Sequence, residues 1–124
     1  MANPAGRERI FKTAWFEKAA RKAHIMDDEL CVAIRQVMLG HADDLSGGVF
    51  KKRLSKNLYR SIILAKGGRH WVYEYVFAKK DRDNIEDGEL GKYRKLARVY
   101  ESLTEQQVDL LPQDNSWMEI CNGR

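Results

Sequence analysis

Cysteine and proline are both scarce in this 124-residue chain, with two of each. So little proline beside 44% hydrophobic residues argues against a chain that stays unfolded alone. Cys31 and Cys121 stand far apart in a chain with cytosolic character, so both are expected to be reduced thiols. Two Cys and three scattered His offer no spacing at which zinc ligands would converge, so no metal is expected. No apolar run approaches the roughly 18 residues of a membrane-spanning helix. Met1 to Ile10 lacks the apolar stretch of a secretory signal, which makes the cytoplasm the expected compartment. Repeats, low-complexity tracts and linkers are absent too, so residues 1–124 read as one domain, with 1–8 a loose leader.

Acidic residues are missing from one region in particular. Residues 51–82 hold 10 Lys and Arg against two acids, Glu74 and Asp81, a local net of +8. Residues 1–50 balance at seven of each sign, and residues 83–124 carry five basic and nine acidic side chains. The overall +4 therefore conceals a strongly basic middle third. Cations gathered this way suit a polyanion, because they release counterions condensed on its phosphates. A solvated sheet face kept soluble by lysine is the plainer alternative.

What is present sorts by period. Arg9–Thr13 reads as a short strand, and Trp15, Phe16, Ala19, Ala20 and Ala23 recur at helical spacing behind a Thr13 cap. Asp27 reads as the N-cap of a second helix with Leu30, Ile34, Val37 and Met38 in line, and Gly40 stops it. After the loop 40–48 the period changes to that of strands: VFKKRL, RSIILAK and WVYEYVFA, joined by short turns that favour an antiparallel meander. Leu90, Tyr93, Leu96, Ala97, Tyr100 and Leu103 then form a helical stripe, and Thr104 with Gln107 is a capping box. Residues 104–124 read as a C-terminal extension, with Trp117–Cys121 a last strand or a docked tail. The expected fold class is α+β: an N-terminal helical hairpin on a small antiparallel sheet, helices covering one face, and a C-terminal helix.

Strand alternation assigns the chemistry to faces. Val49, Lys51 and Arg53 share one face of their strand, leaving Phe50, Lys52 and Leu54 on the core side, where Lys52 snorkels. Trp71, Tyr73, Tyr75 and Phe77 form one aromatic row, suited either to a core beneath the hairpin or to stacking unpaired bases. Lys51, Arg53, Arg60, Arg69, Lys79, Lys80 and Arg82 come together from successive strands and their ends. His24 and His41 read as surface or capping residues, Cys31 as helix packing, and Asp43-Asp44 as a loop pair.

The segments VFKKRL, YRSIIL and WVYEYVFAKKDRDNI resemble those of the RelE/ParE superfamily of bacterial toxins from type II toxin–antitoxin systems, most nearly its RelE and HigB branches. Phe50-Lys51-Lys52-Arg53, Tyr59-Arg60 and Phe77-Ala78-Lys79-Lys80 carry the resemblance, which covers roughly residues 9–103. It implies a RelE-like fold and a metal-free mRNA endoribonuclease that inhibits translation at the ribosome. Its implied partners are a cognate antitoxin, the ribosome and mRNA, with no cofactor. Position by position, it implies that Lys51 and Arg53 are the strand cations of catalysis, Arg60 the phosphate clamp and Lys80 the later cation. Lys52, Arg69, His70, Lys79 and Arg82 are expected to bind RNA.

The chemistry fits such residues. Cleavage by the substrate's own 2′-OH needs a base, cations for the charge growing on phosphate, and an acid for the leaving 5′-oxygen. A lysine crowded by like charges can lower its pKa enough to take part. The family's tyrosine base would fall near Glu86, and the HigB-type Tyr-His pair is missing. The base therefore stays open among Lys51, Glu86 and His70. Two rivals remain: a toxin of the same fold directed at DNA gyrase, as in the ParE branch, and a non-enzymatic module binding nucleic acid or an acidic partner.

Overall fold

A computed structural model describes residues 8–66 and 70–121. Residues 1–7 of the expected leader (1–8) and Arg69 lie outside the described residues. The first strand β1 (Arg9–Thr13) leads into α1 (Ala14–Lys22) and α2 (Asp27–Met38). A two-residue strand β2 (Asp43–Asp44) precedes the meander β3 (Val49–Leu54), β4 (Tyr59–Lys66) and β5 (His70–Ala78). Helices α3 (Asp87–Glu101) and α4 (Glu105–Leu110) follow, then a 3-10 turn at Pro112–Asp114 and β6 (Trp117–Ile120).

The fold class is α+β, but the arrangement departs from the sequence expectation in three ways. The expected first strand enters the sheet centrally: the order is β2-β3-β4-β5-β1-β6. The sheet is mixed, because β1 runs parallel to β5 while pairing antiparallel with β6. The crossover through α1, α2 and the meander makes this possible, since a parallel partner needs a long connection. Finally, helices cover both faces. Phe16, Leu30 and Ile34 pack with Ile10, Ile63 and Tyr73 on one side. On the other, Ala97, Leu90 and Tyr93 of α3 pack with Val49, Ile62 and Leu64. A strand apolar at both parities, such as Ile62-Ile63-Leu64, is what burial on both faces demands.

Local signals explain most boundaries. The Thr13 hydroxyl accepts the Phe16 N–H at 3.0 Å and caps α1. Asp27 is the first residue of α2 rather than its cap; Met26 holds that place with no side-chain bond. The Asp27 carboxylate instead accepts the buried Lys12 ammonium at 2.6 Å, which Glu17 also receives. Gly47 and α3 hold the loop before β3: Arg94 donates to the carbonyls of Leu45 (2.5 Å) and Ser46. A Cβ on Gly47 would stand 2.8 Å from the Arg94 side chain, so only glycine admits that approach.

The cysteines are not free thiols. Cys31 of α2 and Cys121, just past β6, form a disulfide across a sequence separation of 90. Distance along the chain misled here: β6 returns to lie beside β1, under the same face that α2 covers. No helix among the described residues is long and apolar enough to cross a membrane.

Candidate functional site

A bulge in β5 decides which aromatic residues meet the cations. The β4–β5 register runs Ile62↔Tyr75 and then Ile63↔Tyr73, so Glu74 is an extra residue on β5. A bulge of this kind puts two consecutive side chains toward one face and reverses the alternation beyond it. Trp71 and Tyr73 therefore pack beneath α1 and α2 with Val76, while Tyr75 and Phe77 join the α3 face. The expected single row of four aromatics is split two and two.

On the α3 face, register sets two rows across three strands. Lys51 lies opposite Ile62, which lies opposite Tyr75; Arg53 lies opposite Arg60, which lies opposite Phe77. Lys51 and Arg53 take the face that alternation assigned them, and Val49 on the same side is core, because α3 covers that end. Lys51 keeps Asp43 at 3.6 Å. Arg53 is exposed. The Arg60 side chain is buried, and its guanidinium donates to the carbonyls of Asn57 (3.0 Å) and Tyr59 (3.3 Å). The Asn57 carbonyl belongs to the β3–β4 turn, where Ser55, Lys56 and Asn57 all have positive φ. Left-handed backbone in three non-glycine residues is costly, and it is held where the turn brings a carbonyl onto Arg60.

Around these rows stand the residues beyond β5. Lys79 and Lys80 are exposed in the turn after the strand, where the Lys79 N–H donates to the Leu58 carbonyl of the β3–β4 turn. The Arg82 guanidinium lies over the Phe77 ring at 5.4 Å and forms an ion pair with Glu89 of α3. That carboxylate hydrogen bond holds Arg82 firmly charged. Lys52 points to the opposite face and donates to the His41 carbonyl at 2.9 Å. Its ammonium is disfavoured by partial burial and by the charge of Arg53, so its pKa falls below the usual lysine value.

Three aromatic side chains flank these rows, two of which sequence reasoning left out. Tyr75, from the aromatic row read in the sequence, is carried there by the bulge. Tyr93, placed by periodicity in the apolar stripe of α3, has its ring 6.2 Å from that of Tyr75. Burial, with Tyr75, Glu89 and Glu74 nearby, pushes its hydroxyl up to about 12. Trp15 of α1 stacks on Tyr75 at 5.1 Å and 30° and is 51% exposed. The one sequence trace of the bulge is Glu74 itself, a carboxyl set among buried strand residues; it accepts the Tyr100 hydroxyl at 2.7 Å.

Two expected members stand elsewhere. His70 is buried at the start of β5, with Nε2 at 2.5 Å from the Glu105 carboxylate of α4. It lies beside Arg9, which binds Glu105, Asp109 and Glu119. Buried against the Glu105 carboxylate, it is part of the α4 attachment and stands apart from the rows of Lys51 and Arg53. Glu86 is the N-cap of α3 in a capping box with Glu89, and that structural duty removes the motive for casting it as a base. Among the described residues no group of His, Cys, Asp and Glu could hold a metal ion.

The geometry is that of an α+β domain whose doubly covered sheet presents cations from consecutive strands, and the sequence comparison supplies the family. Residues 8–120 match the family described as the RelE toxin of the RelE/RelB toxin–antitoxin system, and the chain belongs to that family. A segment of 68 residues, 55% of the chain, is 29% identical to the DNA mismatch repair protein MutS of Alkaliphilus oremlandii (strain OhILAs). It spans only 8% of that protein. No solved structure matches the chain.

Proposed function

We propose that this RelE-family toxin is a metal-free mRNA endoribonuclease that inhibits translation at the ribosome and is neutralised by a cognate antitoxin. The observation that carries the reading is the convergence of Lys51, Arg53 and Arg60 with two tyrosines on one face of three paired strands. Arg60 and Arg53 would bind the scissile phosphate and stabilise the charge that builds on it, which is the larger part of such catalysis. Lys51 stands one register row away, and Lys80 in the exposed turn after β5 would hold the neighbouring phosphate. Lys79 and Arg82 extend the cationic path along that edge, while Lys52 lies behind it and supports the field.

The tyrosines divide the proton work. Tyr75, in the register row of Lys51 and Ile62, is the residue placed to take the proton of the 2′-OH. Tyr93, pushed up to about 12, keeps its proton and suits donation to the leaving 5′-oxygen.

The test is a reconstituted translation reaction with a defined mRNA, with and without the ribosomes, read by primer extension. Wild type should cut within coding sequence where ribosomes translate it. Arg60→Ala should slow cutting by about 10²-fold or more, and Tyr75→Phe by a comparable factor. An mRNA left intact by wild type on translating ribosomes overturns the reading.

A further inference from the structure

Trp15 is the feature that the reaction just described leaves unused. It is a large aromatic side chain on the first turn of α1, 51% exposed, where Trp71 and Trp117 are both buried. Exposure of a tryptophan to this degree leaves apolar area in water with no return from the fold. Its position is fixed all the same: one face stacks on Tyr75. Tyr75 in turn lies 5.7 Å from Phe77, whose other neighbour is the Arg82 guanidinium. Trp15, Tyr75, Phe77 and Arg82 thus form a continuous strip of flat groups, with ring planes inclined by 30° and 33° at the two aromatic steps. The strip runs beside the row Lys51, Ile62, Tyr75 and ends beside the row Arg53, Arg60, Phe77.

We propose that Trp15 is a base-stacking subsite for single-stranded RNA, receiving a nucleobase that flanks the phosphate held by Arg53 and Arg60. The inference rests on the endoribonuclease reading for its substrate and goes beyond it in assigning a residue and a contact. Charge complementarity commits the occupant. An apolar partner segment would gain nothing from the cations along the strip, whereas a nucleotide satisfies both, its base on the indole and its phosphate on the guanidinium groups. Neighbouring strands stand about 4.8 Å apart, so Trp15 is roughly 10 to 15 Å from the β3 cations. That is the reach of about two nucleotides. The indole offers a face and no base-edge pattern, so the subsite would favour purines for their stacking area and would not read a sequence.

The test uses a short RNA whose every 2′-OH is methylated, so that binding is measured without cleavage. Trp15 fluorescence should be quenched on titration with this RNA, since the other two tryptophans are shielded. Trp15→Ala should weaken binding about tenfold, and Trp15→Phe should recover most of the loss. The same RNA with one abasic position at the site of contact should bind wild type as weakly as it binds Trp15→Ala. A cleavage assay on unmodified RNA with ribosomes is run beside it. Quenching with a tenfold loss in Trp15→Ala supports the subsite even if no RNA is ever cut, an outcome that removes only the enzymatic reading. Equal binding by wild type and Trp15→Ala, or no binding by wild type, overturns the subsite. So does a Trp15→Ala protein that loses antitoxin while holding RNA unchanged.

Discussion

Arg53 and Arg60 face each other directly across the β3–β4 ladder, two guanidinium-bearing side chains on adjacent strands. Like charges in directly opposed positions destabilise a sheet, by roughly 0.2–1 kcal/mol relative to neutral pairs. The fold tolerates the pair because the carbonyls of Asn57 and Tyr59 occupy Arg60. Arg53→Glu should therefore raise the midpoint of thermal unfolding slightly while abolishing toxicity on expression in bacteria. A variant that loses stability would show that the repulsion is not felt.

The Glu74 carboxyl sits mostly out of water, and burial raises its pKa, a shift that the Tyr100 hydroxyl opposes. A raised carboxyl pKa contributes stability that is present below the ordinary carboxyl range and lost as pH rises through the folded value. Tyr100→Phe removes the donor that favours the carboxylate while keeping the ring against Trp117. It should cost about 1–2 kcal/mol at pH 7 and distinctly less at pH 4. Urea unfolding at the two pH values checks the difference.

Lys12 and Glu17 work in the opposite sense. The hydrogen bond from the Lys12 ammonium, working against partial burial and aided by Arg21, holds the Glu17 carboxyl below its usual range. Stability from a depressed carboxyl is present above its unfolded value near 4.5 and is lost as pH falls through the folded one. Lys12→Met should cost about 2 kcal/mol at neutral pH, since it strips a buried ion pair of one partner. It should also flatten the acid limb of the stability profile below pH 4.5. An acid limb as steep as that of wild type would count against the pairing.

How much of this was legible beforehand depends on which interactions are local. The bounds of β1 and β3, the Thr13 cap and the Thr104–Gln107 capping box are set by neighbours within four residues, and each stands where periodicity and side-chain chemistry put it. Lys51, Arg53 and Arg60 converge because strand alternation and short turns fix them. The parallel pairing of β1, the second helical cover and the Cys31–Cys121 bond depend on contacts between distant segments, which no window reveals. Tyr75 was misplaced for a third reason: one inserted residue reverses every face beyond it.

The disulfide closes a loop of about 90 residues, and closing so long a loop restricts the unfolded chain strongly. Cys31→Ser or Cys121→Ser should lower stability by about 3–4 kcal/mol. Reductant should reduce the wild type to the same unfolding midpoint and leave either variant unchanged. Unequal effects of the two substitutions would point to packing rather than the bond.

The central place of β1 has a consequence in time. Of its flanking partners, β5 lies about half the chain length away and β6 nearly all of it, so the first strand made cannot be paired on both sides until almost the last has emerged. Pairings between such distant segments form slowly, since the connecting chain must be closed first. The meander and α3, which hold the cations and both tyrosines, depend on far nearer neighbours. A nascent molecule therefore assembles its cationic hairpins before its sheet is complete. During that interval a neutralising protein would meet a half-built toxin, and capture could precede the birth of the finished one.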